Sequence, residues 1–309
     1  MGQVHEIAES LTALKLGEPQ TYVDLTLFPL IGDPEAAPGY VLLDEALERH
    51  LVHVTEVSAG GRVPELAFEN SSDETVLLVD GDELVGAKQN RVVNLSILVA
   101  GGKKLVIPVS CVEQGRWVYR SAEFQAAHRA LFARARARKA QSVSDSLRSR
   151  GERRANQSQV WADVADKAYA CRVESETLAM SDIYVESAAQ LDDYVRAFRA
   201  LPGQRGAVVA IGGKVIGLEL FNCPTAFSRY LEKLVRAYAL DAIETPALEP
   251  RVPSATDAQA FLDLVWATHA ERFPALGEGD DVRLTGAGLA GGALLADGRL
   301  VHLAAFVVP

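Results

Sequence analysis

The chain is poor in the residues that mark secreted, membrane-spanning or disordered proteins. Its 309 residues include only 3 Cys, 2 Met and 13 Pro, and 7% are aromatic. Cys111, Cys171 and Cys223 form neither an even disulfide framework nor a C-x-x-C metal motif, which indicates a reducing compartment. The longest stretch without a charged residue, Leu284 to Ala296, has 13 residues, whereas a transmembrane helix needs roughly 18. We therefore expect a cytoplasmic protein without a membrane partner.

The charge is unevenly distributed along the chain. The net charge of −10 argues against general nucleic-acid binding, because phosphate contacts need a basic surface. Between Arg129 and Arg154, however, eight Arg and one Lys outnumber two acidic residues, a net charge of +7 that leaves −17 for the rest. We expect this basic segment to be a solvated helix face, or a surface that contacts an acidic protein partner or a second copy of the chain.

Hydrophobic patterning predicts an α+β fold. Helical spacing of apolar residues predicts a helix from Val4 to Leu16, and short β-branched runs between Thr21 and Cys111 predict an antiparallel sheet with one helix near residues 42–50. The Ala- and Arg-rich stretch from Ala122 to Ala200 predicts three or four helices. Strand patterns return at Ala207 to Phe221.

The C-terminal part has a mixed pattern. A helix is predicted from Pro224 to about residue 240, a second near Asp257 to His269, and then a last hairpin that turns at Asp297-Gly298. With 49% hydrophobic residues the chain can bury a sizeable core. We expect a β-rich region at 1–121, a helical region at 122–204 and a mixed region at 205–309, packed as one or two domains.

Two Gly-Gly-Lys sequences predict tight hairpins. Gly101-Gly102 and Gly212-Gly213 each separate two strand-like runs, and glycine readily adopts the positive φ angles of a two-residue turn. A turn at 101–102 would place Arg91 opposite Val112 and Asn94 opposite Val109.

Several familiar catalytic and cofactor motifs are missing or fail in context. Gly286 to Gly291 matches G-x-G-x-x-G, but too few residues follow for the helix that a dinucleotide site requires, so a glycine-rich strand or loop is expected. Asp80, Asp82 and Glu83 are weak candidates for a cation site and more typical of a turn. His302, inside an apolar strand, is typical of a hydrogen-bonded core residue. No metal site and no particular cofactor are predicted.

Polar residues are concentrated between Gly86 and Trp117, in an otherwise apolar hairpin. An unsatisfied buried amide or guanidinium costs about 1–3 kcal/mol or more, so such a concentration indicates either a ligand site or a satisfied polar network. Amides and arginines grip planar or anionic groups, and a tryptophan ring offers a stacking face. The candidate ligand-binding residues are Gln89, Asn90, Arg91, Asn94, Gln114, Arg116 and Trp117.

This segment resembles a known family. ELVGAKQNR at residues 83–91 and IPVSCVEQGRW at residues 107–117 are similar to the signature of the ARPP domain, the ADP-ribosylglycohydrolase- and rhodanese-phosphatase-associated protein domain. The resemblance continues more loosely through Trp161 and Tyr194 to residues 213–221 and His302. It implies a link to NAD or ADP-ribose metabolism by analogy, and it carries no catalytic residues with it.

Two residues of the signature are candidates for catalysis. Glu113 is the general base that the segment itself offers. Cys111 would be a nucleophile if a neighbouring Arg91 or Arg116 lowered the pKa of its thiol, although a buried structural thiol is the commoner case. Cys223, just before Pro224, is a candidate cap of the following helix, although a small residue in a turn is the commoner case.

Two hypotheses about function remain open at this point. In the first, the protein binds a nucleotide-like or ADP-ribose-like anion at the signature. If it is an enzyme, it also processes this ligand. In the second, it is a non-catalytic interaction or structural module whose polar signature is a buried network. A pocket with two arginines free of internal ion pairs favours the first, and arginines paired to carboxylates favour the second.

Overall fold

The computed structural model describes residues 4–32, 38–244, 253–286 and 288–308, and within them eight helices and 18 strands. The helices are α1 (His5–Thr12), α2 (Leu43–Glu48), α3 (Ala133–Arg150), α4 (Gln157–Ala170), α5 (Met180–Glu186), α6 (Ala188–Ala197), α7 (Pro224–Glu244) and α8 (Ala255–Ala267). In these residues no helix is long and apolar enough to cross a membrane.

Strands dominate the N-terminal half. They are β1 (Lys15–Leu16), β2 (Gln20–Tyr22), β3 (Leu25–Ile31), β4 (Val41–Leu42), β5 (Val52–Glu56), β6 (Glu65–Asn70), β7 (Val76–Leu78), β8 (Asp82–Gly86), β9 (Arg91–Val93), β10 (Ile97–Val99), β11 (Lys104–Cys111) and β12 (Phe124–Ala130). The C-terminal part adds β13 (Gln204–Ile211), β14 (Lys214–Phe221), β15 (Ala270–Pro274), β16 (Asp280–Gly286), β17 (Leu289–Ala296) and β18 (Arg299–Val307).

A nine-stranded antiparallel sheet joins the two ends of the chain. Its order is β1-β3-β13-β14-β18-β17-β16-β15, with β2 paired to β3. Successive side chains of a strand point to opposite faces, so Leu25 and Leu27 enter one core while Phe28 and Leu30 enter another. Helices α1 and α8 cover the second face, and α3 to α7 pack on the first.

Two smaller sheets carry the signature. The six-stranded sheet has the order β12-β8-β9-β11-β6-β5, and the three-stranded sheet has the order β10-β7-β4. A third core lies between these sheets and α2. The α+β class is therefore confirmed, with helices concentrated in the middle of the chain.

The two predicted Gly-Gly hairpins have opposite outcomes. Gly212-Gly213 turns β13 into β14 with Ile211 opposite Lys214, as predicted. The Gly101-Gly102 hairpin is wrong: β10 pairs with β7, whereas β11 pairs with β6 and β9. The physical reason is a tertiary contact, because Gly102 N–H donates to Ser72 O at 3.0 Å and a Cβ on Gly101 would lie 2.7 Å from the same oxygen.

A strand also interrupts the predicted helical middle. Residues Phe124 to Ala130 form β12, so the expectation of helix throughout Ala122 to Ala200 is wrong there. FQAAHRA has no β-branched residue, but Phe124 and Ala130 are buried and the segment pairs with β8. Tertiary pairing thus overrides local propensity. The remainder of the stretch supplies four helices, α3 to α6.

The predicted C-terminal elements are largely confirmed. Asp297-Gly298 connects β17 to β18, with Ala296 opposite Arg299. The glycine-rich run enters β17 as a strand, while Ala287 lies outside the described residues. At the other end of the chain, α1 ends at Thr12 rather than Leu16, because Lys15 and Leu16 pair with β3.

The basic segment is not uniformly solvated, which corrects the expectation for it. Arg136 is 0% and Lys139 1% exposed on α3. Arg136 contacts Glu219 of β14, and Lys139 contacts Asp80 just before β8. Arg129, Arg138 and Arg153 also pair with carboxylates of the same chain. Much of the positive charge of this segment is therefore neutralised within the protein.

Removing Arg136 should therefore destabilise the protein strongly. Arg136→Ala leaves the Glu219 carboxylate buried without its ion-pair partner, and we expect the free energy of unfolding to fall by about 3–5 kcal/mol. Urea denaturation measures this change, with Arg150→Ala, on the exposed end of the same helix, as the control at about 0.5 kcal/mol or less. Equal effects of the two variants would contradict a buried structural role for Arg136.

Candidate functional site

The signature residues meet because β9 lies directly beside β11. Arg91 is opposite Cys111, and Val93 is opposite Val109. The predicted register, with Arg91 opposite Val112, is therefore wrong by one residue. A shift of one residue reverses the face on which every side chain lies. The strands are aligned by sheet pairing rather than by the Gly101-Gly102 turn, which explains the difference.

Arg116 is held by a complete set of acceptors. Its Nε and Nη2 donate to the two carboxylate oxygens of Glu113 at 2.8 and 2.6 Å. Its Nη1 donates to the backbone oxygens of Ala87 and Val118 at 2.7 and 2.9 Å, and Nη2 also reaches Asn90 Oδ1 at 3.2 Å. This bidentate, buried geometry is typical of a structural ion pair.

The Glu113 carboxylate is equally well bonded. Asn90 N–H donates to Oε2 and the Thr177 hydroxyl to Oε1, each at 3.0 Å. Burial acts to raise the pKa of Glu113, but the hydrogen bonds from Arg116 and Asn90 outweigh burial, and the net pKa is lowered. An ionised carboxylate with both oxygens bonded favours a structural role over that of a general base.

Cys111 has the electrostatic environment of a buried structural thiol. Its Sγ lies 3.4 Å from Glu113 O, and the side chain is buried. Burial raises the pKa of the Cys111 thiol more than the nearby Arg91 charge lowers it. The shift is opposite in direction to the one that an activated nucleophile needs. Cys223, in contrast, does cap α7, since its Sγ accepts a hydrogen bond from Ala226 N–H at 3.4 Å.

Arg91 is buried but incompletely bonded. It is 0% exposed, and its Nη1 donates to Gln89 Oε1 at 3.1 Å, while Gln89 Nε2 donates to Glu113 O at 2.9 Å. Its Nε and Nη2 have no hydrogen-bond partner, and Glu56 Oε1 lies 3.9 Å from Nη2. Burial lowers the pKa of Arg91 despite the neighbouring negative groups. Gln89 thus connects Arg91 to the Glu113–Arg116 network.

Two exposed aromatic rings lie over this end of the cluster. The Lys88 Nζ is 5.1 Å from the ring centroids of both Trp117 and Tyr119, and the Arg91 Cζ is 5.8 Å from the Trp117 centroid. Trp117 is 44% exposed. We call Lys88, Arg91, Trp117 and Tyr119 the cation–aromatic surface. The candidate residues predicted from the sequence did not include Lys88, which is part of the signature, or Tyr119, which lies two residues after it.

The other two predicted ligand-binding residues are placed differently. Asn94 accepts from the Ser110 hydroxyl at 2.7 Å and donates to Arg153 O at 3.1 Å, which ties β9 to the segment after α3. The Gln114 side chain is exposed, and Gln114 joins the cluster through its backbone oxygen, 3.5 Å from Gln89 Nε2.

The three acidic candidates for a cation site diverge. Asp80 contacts Lys139, Asp82 Oδ1 accepts from Lys233 Nζ at 2.8 Å, and Glu83 Oε2 accepts from Arg129 Nε at 2.8 Å. In the part of the chain that the structure describes, no group of three or more His, Cys, Asp or Glu residues could hold a metal ion.

A cavity of about 520 Å³ lies apart from the signature, at the start of α7. Arg49 and Arg229 line it, but both pair with Glu45, and Arg49 also contacts Glu74. Its cations are therefore already neutralised, and it has less attraction for an anion than its volume alone indicates.

Fold and site together define an α+β protein whose polar signature joins two antiparallel strands. The chain belongs to the ARG and Rhodanese-Phosphatase-superfamily-associated Protein domain family, which matches residues 13–306. The resemblance seen in the sequence is thereby confirmed. No curated protein and no solved structure matches the chain.

Arg116→Ala should cost far more stability than removing a second arginine near the same carboxylate. The variant leaves Glu113 buried without its main partner, and we expect a loss of about 3–5 kcal/mol in the free energy of unfolding. Arg120 lies 3.7 Å from Glu113 but is 59% exposed, so Arg120→Ala should cost about 1 kcal/mol or less. Chemical denaturation of both variants measures the two losses of unfolding free energy. Similar losses would argue against a buried structural ion pair between Arg116 and Glu113.

Acid should narrow the stability gap between the wild type and Arg116→Ala. Because the folded-state pKa of Glu113 is lowered, its ion pair stabilises the fold above the unfolded value of about 4.5 and is lost as the pH falls through the folded value. Unfolding free energies between pH 7 and 3 should show the gap constant above pH 5 and shrinking below it. A gap that stays constant across this range would exclude titration of Glu113 as its source.

Proposed function

We propose that this protein binds an anionic small molecule with a planar base, of the nucleotide or ADP-ribose class, on the cation–aromatic surface. The observation that carries the proposal is Arg91, whose Nε and Nη2 are buried without hydrogen-bond partners beside the exposed Trp117 ring. Unsatisfied buried donors cost about 1–3 kcal/mol, so a ligand that supplies acceptors to them gains that energy on binding.

The local charge also favours an anion. The two positive charges of Lys88 and Arg91 outnumber the negative charge of the nearby Glu56 carboxylate. The charge of Arg116 is neutralised by Glu113. Arg120 adds a further exposed positive charge at the rim. This surface is therefore locally positive in a chain whose net charge is −10, and attraction of an anion to it weakens with salt.

The aromatic rings supply the second part of the recognition. Trp117 and Tyr119 both contact the Lys88 ammonium, and both keep exposed ring surface. A heterocyclic base stacks on such rings, and the Lys88 ammonium beside both rings supplies a positive charge for its phosphates. The family name implies an association with ADP-ribosylglycohydrolases. An ADP-ribose-like ligand is compatible with that association.

The ion pair of Glu113 and Arg116 has a supporting role in this proposal. Arg116 donates to the backbone oxygen of Val118, which lies between the two rings. The network thereby fixes the segment that carries Trp117 and Tyr119. Such preorganisation lowers the entropy cost of binding.

A second candidate function rests on the same segment. Trp117, Val118 and Tyr119 are three consecutive exposed apolar residues, a feature typical of protein-interaction sites. The protein would then be a non-catalytic interaction module with a structural signature. Small-molecule binding separates the two, because only the first requires it.

ADP-ribose should raise the melting temperature of the wild type and quench its tryptophan fluorescence. Trp117→Leu should abolish both responses, because a leucine offers no stacking face. Trp266→Leu is the matched control, since Trp266 is 42% exposed on α8 and lies outside the cation–aromatic surface. AMP and ribose 5-phosphate, tested in parallel, separate the contribution of the base from that of the phosphate.

Several outcomes would contradict this proposal. If none of the three compounds shifts the melting temperature of the wild type, the interaction module becomes the better hypothesis. If binding persists in Trp117→Leu but is lost in Arg229→Ala, the ligand occupies the cavity at the start of α7 instead.

A further inference from the structure

A strained turn of the helical region packs against the signature. Residues 175–179, which we call the 175–179 turn, lie between α4 and α5 and contact the segment that follows β11. Leu178 has a φ of +51°, a left-handed conformation that bulky residues rarely adopt. A backbone conformation of this kind persists only where the surrounding contacts fix it. The contacts of the turn therefore indicate what it is built to hold.

The 175–179 turn is attached firmly at its own end. The Ser175 hydroxyl accepts a hydrogen bond from Ala179 N–H at 2.9 Å and donates one to the Asp182 carboxylate of α5. Met180, the first residue of α5, donates its N–H to Val112 O at 2.8 Å. The turn is thus fixed both to α5 and to the end of β11.

The turn pairs with the signature through its backbone. Glu113 and Ala179 form an antiparallel bridge, and Gly115 N–H donates to Thr177 O at 2.7 Å. A Cβ on Gly115 would lie 2.9 Å from Thr177 Cα and 3.0 Å from Thr177 O. Because only glycine permits this close approach, any side chain at position 115 would force the two backbones apart.

A second connection runs through side chains toward the aromatic rings. The Thr177 hydroxyl donates to Glu113 Oε1 at 3.0 Å, and the same oxygen accepts from Arg116 Nε at 2.8 Å. Arg116 Nη1 in turn donates at 2.9 Å to Val118 O, which lies between the two rings in the sequence. The turn and the aromatic segment are therefore connected by both backbone and side-chain hydrogen bonds.

We propose that the 175–179 turn positions the Trp117 ring for stacking on a ligand, and that Thr177 and Gly115 are the positioning residues. This inference rests on the proposed function for the ligand, whereas the position of the ring is a property of the protein alone. Trp117 is 44% exposed, so its position depends in large part on the backbone of its segment. A ring that is in place before the ligand arrives lowers the entropy cost of binding.

Fluorine NMR of protein labelled with 5-fluorotryptophan measures the environment of the ring without a ligand. The chain has three tryptophans, and the resonance that is lost in Trp117→Leu belongs to Trp117. Gly115→Ala should shift or broaden this resonance, because the new Cβ pushes the segment away from Thr177. Thr177→Val should also shift it through the lost hydrogen bond to Glu113, and Thr177→Ser should restore it.

Gly286→Ala is the matched control for the glycine substitution. Gly286 is exposed like Gly115, but its added Cβ would lie 3.6 Å from Thr268 Cγ2, an ordinary van der Waals contact. This variant should leave the Trp117 resonance unchanged. The resonance of Trp266 on α8 should stay in place in all of these variants, and thermal melts check that each one is folded.

Titration with ADP-ribose measures the consequence for binding. We expect the Kd to rise about 10-fold in Gly115→Ala and about 3-fold in Thr177→Val, and to return to the wild-type value in Thr177→Ser. A merely structural role would lower the melting temperature of these variants without moving the Trp117 resonance or the Kd. If Gly115→Ala does not fold, Thr177→Val and Thr177→Ser decide.

Two results would overturn the proposal. One is an unchanged Trp117 resonance in the folded variants. The other is a shifted resonance with a wild-type Kd, in a protein whose binding is lost in Trp117→Leu. If the wild type binds no ADP-ribose but the variants still shift the Trp117 resonance, the turn does position the ring and the proposed ligand class is wrong. The two inferences can therefore fail separately.

Discussion

The arrangement of the sheets depends on the buried cations of one helix. Arg136 of α3 pairs with Glu219 in the nine-stranded sheet, and Lys139, one turn later, pairs with Asp80 beside the six-stranded sheet. Burial lowers the pKa of Lys139 to about 8 although Asp80 acts to raise it. Burial of these charges is costly, and the loss of one partner leaves the other uncompensated. The helix is therefore fixed between the two sheets by charge as well as by apolar packing.

The same pairs show what composition can and cannot predict. The excess of +7 between Arg129 and Arg154 and the deficit elsewhere are visible in the sequence. Their mutual neutralisation depends on the path of the chain, and Arg136 and Glu219 are 83 positions apart. A similar limit applies to the glycine turns. Gly212-Gly213 acts through local geometry and was predictable, whereas Gly101 packs against Ser72 and Asp73, a contact that no local pattern encodes.

The candidate sites follow the same division. Arg91, Glu113 and Arg116 were predictable as a group because they occupy neighbouring strands and the segment that follows. Their hydrogen bonds were not predictable, because the Thr177 hydroxyl and the backbone oxygens of residues 87 and 118 supply several of them. His302 was predicted to be a bonded core residue, which the structure confirms. Its partners Ser96 and Glu219 lie 206 and 83 positions away in the sequence, so no spacing pattern could have indicated them.

The signature and the Ser96–His302–Glu219 chain differ in how their polar groups are satisfied, and this difference separates a candidate binding site from a structural network. At the signature, Glu113 and Arg116 are fully bonded, and the unsatisfied donors belong to Arg91 beneath the aromatic rings. A group that lacks acceptors gains from a ligand that brings them, which favours binding. Along the hydrogen-bonded chain from Ser96 through His302 to Glu219, every side-chain heteroatom already has a partner inside the protein. A complete chain of this kind is typical of a structural network, because it leaves no polar group for a ligand to satisfy.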